Sequence, residues 1–239
     1  LELAAVADVV IENFRPGVME RLGLGPDVLR AQNPRLIYCG ISGFGRDVNR
    51  AGYDLVIQGM GGIPSITGEP DGDPAKCGAS IADLVTGLYA VQGILAAVCR
   101  RDRTGKGALV DVPMIDGQVA MLTYHASGLL NGGVTPQRLG NHHPSIHPYG
   151  TYRTDDGFLN IAVGNDRLFE AFCTAVGRRE WSEDVRFAKN ADRVAHRAAL
   201  DALINTALVG RGVAGWCAVF AEAGVPAGPI NSVAEAVQQ

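Results

Sequence analysis

The stretch SIADLVTGLYAVQGILAAVCR, residues 80–100, decides the fold because it carries the strongest helix pattern in the chain. Apolar residues recur in it at spacings of three and four, which is the periodicity of one face of an α-helix. These residues are Leu84, Leu88, Val91, Leu95 and Val98. The predicted helix runs from Ser80 to about Arg101, and basic residues lie at its C-terminal end, where the helix dipole favours them. We expect a buried core helix.

Asp83, the first charged residue of this helix, has two interpretations from the residues alone. Ser80 and Asp83 are spaced as in a capping box, in which an acid three residues after a serine helps to satisfy the helix N-terminus. Capping is the interpretation that the pattern favours. A carboxylate at this place could also act as a nucleophile, because it is charged at neutral pH and the helix N-terminus would orient it. Partial loss of water would sharpen its attack on a carbonyl carbon.

Three short apolar runs on either side of this helix predict strands: ADVVIENF at 7–14, PRLIYCGISGFG at 34–45 and ALVDVPM at 108–114. Another segment, YDLVIQGMGG at 53–62, predicts a short helix that ends at glycines. Strands that alternate with helices at this spacing indicate βαβ units and a parallel sheet. The polar residues that follow the first strand would then lie at the carboxyl edge of the sheet, where α/β folds bind ligands.

The character of the chain changes after about residue 128. A segment rich in glycine, proline and histidine leads into GTYRTDDGFLNIAVG at 150–164, which predicts a β-hairpin. Helices are predicted at about Arg167–Val176, Ala191–Leu208 and Val213–Ala223. We therefore divide the chain into a large α/β domain at 1–127, a linker at 128–148, a small α+β domain at 149–224 and a second linker at 225–239.

Composition narrows the classes of function. Of 239 residues, 47% are hydrophobic, which is enough for one large or two small cores, and the net charge of −4 argues against a general nucleic-acid binder. The five cysteines form no CxxC pair, so we expect reduced thiols in a cytosolic-type protein. We predict no membrane partner, because the apolar helix contains polar residues and is followed by RRDR at 100–103.

The segment GNHHPSIHP, residues 140–148, raises the question of a metal site. It offers His142, His143 and His147, but adjacent histidines and two prolines do not match a usual zinc-ligand spacing. We predict no metal there and favour contact with a ligand or a role in loop structure.

Six ordered segments together resemble the class III CoA-transferases, a superfamily that includes formyl-CoA:oxalate and carnitine CoA-transferases and α-methylacyl-CoA racemase. The similarity covers essentially the whole chain. The segments are ADVVIENFRPGVMERLGLG, NPRLIYCGISGFG, GYDLVIQGMGG, TGEPDGDPAKCGASIADLVTGLYA, RTGKGALVDVPMID and RLGNHHPSIHPYGTYRTDDGFLNIAVGNDRLF.

The resemblance implies a fold and an assembly. It implies a Rossmann-like large domain with a parallel sheet, here truncated at both ends, and a smaller α+β domain, with 225–239 returning to the large domain. It also implies that the full-length protein is an interlocked homodimer. A cytoplasmic location is expected, and a mitochondrial matrix location stays open.

The resemblance also implies roles for particular residues. Asp83 matches the catalytic aspartate of the family, and Asp54 and Tyr53 take the places of possible assisting groups. Positions expected to bind CoA are Asn13, Phe14, Arg15, Arg21, Ala51, Gly52, Tyr53, Asp54, Asn141 and His142.

The function implied is an acyl-CoA:carboxylate CoA-transferase that moves CoA between carboxylic acids through an aspartyl anhydride and an aspartyl-CoA thioester. Its partners would be an acyl-CoA donor and a carboxylic acid acceptor, with no permanently bound cofactor, since CoA enters as substrate. An acyl-CoA racemase or epimerase of the same fold is one alternative. In the racemase branch a histidine stands where this chain has Tyr53, and a phenol of reference pKa about 10 is a poor base at neutral pH. A non-catalytic CoA-binding fragment is the other alternative.

Overall fold

The computed structural model describes residues 1–239, and they form two compact units, Leu1–Arg138 and Leu139–Gln239. The first unit combines a parallel sheet with helices, as the alternating pattern predicts. Its helices are α1 (Glu2–Val6), α2 (Val18–Arg21), α3 (Pro26–Gln32), α4 (Asp54–Met60), α5 (Ile63–Ile66), α6 (Ile81–Thr104), α7 (Met114–Ala120) and α8 (Thr123–Gly132).

The sheet of the first unit confirms the predicted parallel arrangement. Its strands are β1 (Val9–Glu12), β2 (Ile37–Ser42) and β3 (Leu109–Pro113), hydrogen-bonded in that order. The first half of the middle strand β2 is buried, as expected for a continuous apolar strand that is covered on both faces. Because all three strands run in the same direction, their carboxyl ends lie at one edge of the sheet, the edge at which α/β folds bind ligands.

The predicted long helix is confirmed as α6, which ends before Gly105 in the left-handed conformation at φ 72°. It contacts β2 and β3. The contact is close, because a Cβ added at Gly93 would lie 2.7 Å from Cγ1 of Val110 on β3. The buried residues of α6 are mostly small ones that permit this approach: Ala82, Thr86, Ala90, Ala97 and Arg101.

The expectation that α6 is a buried core helix is wrong for its face of large apolar residues. Leu84, Leu88, Val91 and Leu95 are 57%, 63%, 54% and 58% exposed. The physical reason is that small side chains allow the closest packing against a sheet, so the small-residue face contacts the strands and the larger side chains point away. By length and composition α6 could also cross a membrane, but one such helix is weak evidence because core helices meet both criteria.

The second unit contains an antiparallel sheet in which the predicted hairpin is confirmed. Strands β4 (Tyr149–Arg153) and β5 (Phe158–Ala162) pair, and the Thr154 N–H donates to the Gly157 carbonyl at 2.9 Å to close the turn. A third strand, β6 (Ala227–Pro229), pairs with β5. The helices are α9 (Asp166–Ala175), α10 (Asn190–Ala195), α11 (Arg197–Ala207), α12 (Val213–Glu222) and α13 (Val233–Ala236), with a 3₁₀ turn at Arg179–Ser182.

The hydrophobic core of the second unit is built around aromatic rings. Phe172 and Phe220 stack with their ring centroids 5.6 Å apart, and Trp216 stacks on Phe220 at 5.4 Å. Such offset ring pairs add to the free energy gained from burying their large apolar area. The predicted helix at Ala191–Leu208 is divided at His196, which lies between α10 and α11.

The domain boundaries drawn from the sequence stay a prediction, and the observed elements depart from them in two places. Helix α8 extends to Gly132, so the first residues of the predicted linker 128–148 are helical. Residues 227–229 lie within the predicted second linker but form β6, so they contribute to the sheet of the second unit.

Gly43, directly after β2, packs on Gly52, two residues before α4. A Cβ added at Gly43 would lie 2.7 Å from the Gly52 Cα, and one added at Gly52 would lie 2.6 Å from the Gly43 Cα. Neither residue has a positive φ. The constraint is therefore the contact between two backbones, which leaves no room for a methyl group.

We expect Gly52→Ala to destabilise the first unit by about 1–3 kcal/mol, the usual cost of forcing an extra methyl group into a packed contact. Gly59→Ala is the matched control, because a Cβ at this exposed position of α4 meets nothing within 4 Å. Alanine there should stabilise the helix by about 0.5–1 kcal/mol. Chemical denaturation of both variants measures the difference, and equal effects would contradict the packing argument.

A polypeptide of residues 1–239 alone should bind the dye 1-anilinonaphthalene-8-sulfonate, because the large side chains of α6 form an exposed apolar row. Replacing Leu88 and Leu95 together with glutamine should lower the fluorescence of the bound dye without changing the helix content. Dye fluorescence that is unchanged by this double substitution would show that the row is covered.

Candidate active site

A cavity of about 500 Å³ lies at the carboxyl edge of the parallel sheet. All of its lining residues belong to the first unit. These residues come from five places: the turn after β1, the end of β2 and the residue after it, the loop before α4 together with its first residue, the first two turns of α6, and the residue directly after β3. The lining residues are Asn13, Phe14, Arg15, Pro16, Ile41, Ser42, Gly43, Arg50, Ala51, Gly52, Tyr53, Asp54, Asp83, Thr86, Gly87 and Met114.

Most residues proposed for CoA binding from the sequence line this cavity. Arg21 does not, because it lies on α2, and its Nη1 would be 3.3 Å from a Cβ added at Gly17. Asn141 and His142 belong to the second unit, so their contact with CoA stays a prediction.

The turn after β1 is held by two hydrogen bonds. The Asn13 side-chain amide donates to the Ile41 carbonyl at 2.9 Å, and the Phe14 N–H donates to Glu12 Oε2 at 2.7 Å. The first bond ties this turn to the end of β2. The Phe14 ring is 55% exposed beside Arg15, so the turn presents an aromatic face and a guanidinium at the cavity.

The N-terminus of α6 is satisfied from outside the helix, which corrects the favoured capping interpretation. Ser80 makes no side-chain capping hydrogen bond. The Ala82 N–H instead donates to Asp54 Oδ1 at 2.9 Å. The carboxylate of Asp54 on α4 occupies the place that the Ser80 hydroxyl was predicted to fill, so the capping box is wrong for this helix.

Asp83 is therefore free for another role. Its side chain is exposed, it lines the cavity, and its carboxylate makes no hydrogen bond or ion pair within residues 1–239. Dehydration by the surrounding protein, and then the negative charge of Asp54, raise the pKa of the Asp83 carboxyl above its ordinary value. Both causes make Asp83 a more basic carboxylate than a fully solvated one.

Two arginines give the cavity positive charge. Arg15 was proposed from the sequence, whereas Arg50 was missed. The Arg50 guanidinium lies 4.6 Å from the centroid of the Phe44 ring, which orients it by a cation–π contact. Arg50 directly precedes the AGYD segment, residues 51–54, and this adjacency was the only signal in the sequence. Guanidinium groups suit phosphate oxygens, and an exposed aromatic ring such as Phe14 suits a nucleotide base.

Tyr53 lines the cavity immediately before α4 and is 75% exposed. It shares the cavity with Asp54 and Asp83. The arrangement thus offers an unpaired carboxylate at a helix start, a second carboxylate that is hydrogen-bonded, a phenol and two guanidiniums. Guanidinium groups attract anionic ligands, and an unpaired carboxylate can act as a nucleophile.

Two of the three histidines considered for zinc come together in the second unit, with Asp201 in place of His143. The candidate ligand atoms of His142, His147 and Asp201 lie within 4.8 Å of one another. However, Arg197 Nη1 lies 3.3 Å from His147 Nδ1 and can only donate there. A metal-binding histidine instead donates its second N–H to an acceptor.

Burial, and then the positive charge of Arg197, lower the pKa of His147 to about 3, so this ring is neutral at physiological pH. Its Nε2 lies 3.3 Å from Asp201 Oδ1, and His142 Nε2 lies 3.6 Å from Asp201 Oδ2. Neither contact is a hydrogen bond, and His147 Nε2 and Asp201 Oδ1 are both buried without a hydrogen-bond partner. The segment before β4 is instead hydrogen-bonded to α11 through Arg197, which contacts His147 Nδ1 and donates to the His143 carbonyl at 2.8 Å. The absence of a metal here stays a prediction.

The chain is similar in sequence to proteins named as CoA-transferases. The chain is 44% identical over 236 residues to a succinate–glutarate CoA-transferase of Agrobacterium fabrum, with 98% of this chain and 59% of the relative covered. It is also 44% identical over 240 residues to an acetyl-CoA:oxalate CoA-transferase of Acetobacter aceti, with 99% and 62% covered. The chain therefore spans about three fifths of the length of these relatives.

A solved structure has the same fold. A CAIB/BAIF family protein from Brucella suis superposes with a TM-score of 0.86 at 47% sequence identity, covering 99% of this chain and 64% of that protein. CoA-transferase family III matches the chain over residues 1–239. The similarity is continuous and includes both units, so the chain belongs to CoA-transferase family III.

Proposed function

We propose that the full-length protein is an acyl-CoA:carboxylate CoA-transferase and that Asp83 is its nucleophile. The observation that carries this proposal is the unpaired carboxylate of Asp83 in a cavity that also holds Arg15 and Arg50. A capping aspartate would be hydrogen-bonded to the backbone, and Asp83 is not. The named relatives, which transfer CoA between carboxylic acids, support the reaction class.

The first half of the reaction moves CoA from the donor to the enzyme. An Asp83 carboxylate oxygen attacks the thioester carbonyl carbon of the donor, and the C–S bond breaks to give a mixed anhydride and CoA thiolate. The thiolate then attacks the Asp83 carbonyl carbon. The donor acid leaves as its carboxylate, and an aspartyl-CoA thioester remains.

The second half reverses these steps with the acceptor. The acceptor carboxylate attacks the aspartyl thioester and expels CoA thiolate, which attacks the acceptor carbonyl carbon of the new anhydride. The acceptor acyl-CoA is released and Asp83 is restored as a carboxylate. Every step is an acyl transfer, so the balance needs no electron carrier, and CoA enters and leaves as part of the substrates.

The chain supplies binding and electrostatic groups for these steps. Arg15 and Arg50 would contact the CoA phosphates, and Phe14 would stack on the adenine. Asp54 would hold the first turn of α6 in place through Ala82. Short carboxylates such as succinate, glutarate and oxalate, which appear in the names of the relatives, are the first donors and acceptors to test.

Two alternatives are distinguished by particular residues. A racemase or epimerase needs a base near neutral pKa to remove an α-proton, and the tyrosine at position 53 is a weak candidate. A non-catalytic CoA-binding protein would tolerate the loss of Asp83. For the assembly, we propose a Rossmann-like large domain in an interlocked homodimer, which is the arrangement that the resemblance implies.

The full-length Asp83→Asn variant should lose nearly all transfer activity while binding CoA as the wild type does, because only the covalent step is removed. Its melting temperature should not fall. The raised pKa of Asp83 means that the folded protein holds this proton more tightly than the unfolded chain. At a pH above the pKa of Asp83, its negative charge is less stable in the folded protein than in the unfolded chain and so lowers the free energy of unfolding. Asparagine carries no charge and removes this cost.

The measurement combines the transfer rate from succinyl-CoA, CoA affinity by calorimetry, and the thermal midpoint. In a parallel test, hydroxylamine is added to wild type incubated with donor thioester, and the peptide that contains Asp83 is analysed by mass spectrometry. An Asp83→Asn variant that keeps substantial transfer, together with an unmodified Asp83 peptide, would remove this residue from the mechanism.

Incubating the full-length enzyme with a 2-methylacyl-CoA in deuterated water should give slow α-deuterium incorporation, since position 53 holds a phenol rather than an imidazole. Tyr53→Phe should leave that slow rate unchanged. Nuclear magnetic resonance of the recovered thioester measures the exchange. Rapid incorporation that disappears in Tyr53→Phe would favour the racemase alternative.

A further inference from the structure

Gln58 was not singled out by any sequence pattern, yet its side chain is fully buried on α4. A buried amide costs free energy unless its polar atoms find partners. Here both ends do. The Nε2 group donates to Asp54 Oδ2 at 2.7 Å and to the Ala79 carbonyl at 3.4 Å, and Oε1 accepts from the Cys77 N–H at 2.8 Å.

These partners fix the orientation of the amide. The Cys77 backbone N–H can only donate, so the atom that faces it must be the amide oxygen of Gln58. The amide nitrogen must then face Asp54, where it donates to a charged acceptor. Leucine could fill the volume of Gln58 but could make neither bond.

The same carboxylate connects this amide to the start of α6. Asp54 accepts from Gln58 through Oδ2 and from the Ala82 N–H through Oδ1. Ala82 directly precedes Asp83. A continuous path of hydrogen bonds therefore runs from a buried side chain of α4 to the backbone that sets the direction of the Asp83 carboxylate.

We propose that Gln58 is a positioning residue for the transfer reaction: it holds Asp54 against the Ala82 amide, and thereby fixes the first turn of α6 and the attack direction of Asp83. This inference rests on the proposed function. Gln58 touches no substrate, since it does not line the cavity. It acts through Asp54 and Asp83, which both line the cavity.

Gln118 on α7 provides a matched control. It is also a fully buried glutamine, but its Nε2 contacts only the Met121 sulfur at 3.5 Å, and its Oε1 has no hydrogen-bond partner. It does not line the cavity. Exchange of Gln118 for leucine thus repeats the change of size and polarity at a side chain that packs on Gly61, just after α4, but has no hydrogen bond to Gln58, Asp54 or Ala82.

In the full-length enzyme, Gln58→Leu should lower kcat for CoA transfer by about 10²-fold, the order expected when a reacting group is displaced by about 1 Å. The KM for the acyl-CoA donor should change little, because the phosphate and adenine contacts are intact. Gln118→Leu should keep the wild-type kcat. Equal kcat losses in the two variants, or a folded Gln58→Leu with wild-type kcat, would overturn the proposal.

Gln58→Glu adds a pH readout that simple loss of packing would not give. The introduced carboxyl can donate to Asp54 only while it is protonated. Raising the pH removes that proton and places a second negative charge beside Asp54, on a buried side chain whose other partners are the Cys77 N–H and the Ala79 carbonyl. The other charged or titratable groups nearby are Lys76, which donates to the Cys77 carbonyl, and the cavity groups Asp83, Arg15, Arg50 and Tyr53 on the far side of Asp54. The transfer rate of this variant should fall with rising pH across a range where the wild-type rate is constant.

Hydrogen exchange separates this proposal from the proposed function. The amide of Ala82 should exchange faster in Gln58→Leu than in wild type or Gln118→Leu, whether or not the protein transfers CoA. Faster exchange in Gln58→Leu, when the full-length wild type itself transfers no CoA, would support the link from Gln58 to the first turn of α6 and refute the transferase. Unchanged exchange at Ala82 together with a normal transferase would refute positioning alone.

Discussion

The candidate site depends on one hydrogen bond, from the Ala82 N–H to Asp54 Oδ1 at 2.9 Å. A helix begins with backbone N–H groups that have no partner inside the helix, and most helices satisfy one of them with a residue at their own start. Here the acceptor comes from α4, 28 residues earlier. Because the acceptor comes from another helix, the hydrogen bond ties α4 to α6. The carboxylate of Asp83, one residue after Ala82, is left without a backbone partner.

Close approach of backbones completes the same arrangement. Gly43 at the end of β2 touches Gly52 before α4, and small residues on α6 let that helix lie close to the sheet. The loop before α4 is thereby held at the carboxyl edge of the strands, and it brings Arg50, Tyr53 and Asp54 to the cavity. The large apolar face of α6 points away from the sheet and is exposed within residues 1–239.

Local patterns predicted the elements well, because the periodicity of α6 and the apolar runs of β1, β2 and β3 reflect burial on one or both faces. They also placed Asn13, Phe14 and Arg15 at the carboxyl edge of the parallel strands, where the cavity lies. Asp83 was assigned to the same site only through the resemblance to a family, because its local pattern favoured a helix cap. Pattern reasoning failed where the deciding partner was distant in the chain. It assigned the cap of α6 to Ser80 rather than to Asp54, and gave no sign of Gln58. It also predicted burial for the wrong face of α6, because periodicity identifies an apolar face without identifying what covers it.

The negative charge of Asp54 has a further consequence for the proposed reaction. In the mixed anhydride, CoA thiolate can attack the donor carbonyl carbon and expel Asp83, which regenerates the starting thioester. It can instead attack the Asp83 carbonyl carbon and expel the donor acid, which moves the reaction forward. The more basic carboxylate is the poorer leaving group, and the pKa of Asp83 is raised by dehydration and by Asp54. Compared with a fully solvated aspartate, Asp83 is therefore a better nucleophile toward the thioester and is less readily expelled from the donor anhydride, which favours formation of the aspartyl-CoA thioester. The same property opposes the last step, in which CoA thiolate must expel Asp83 from the acceptor anhydride, so the two halves of the reaction make opposite demands on the basicity of this carboxylate.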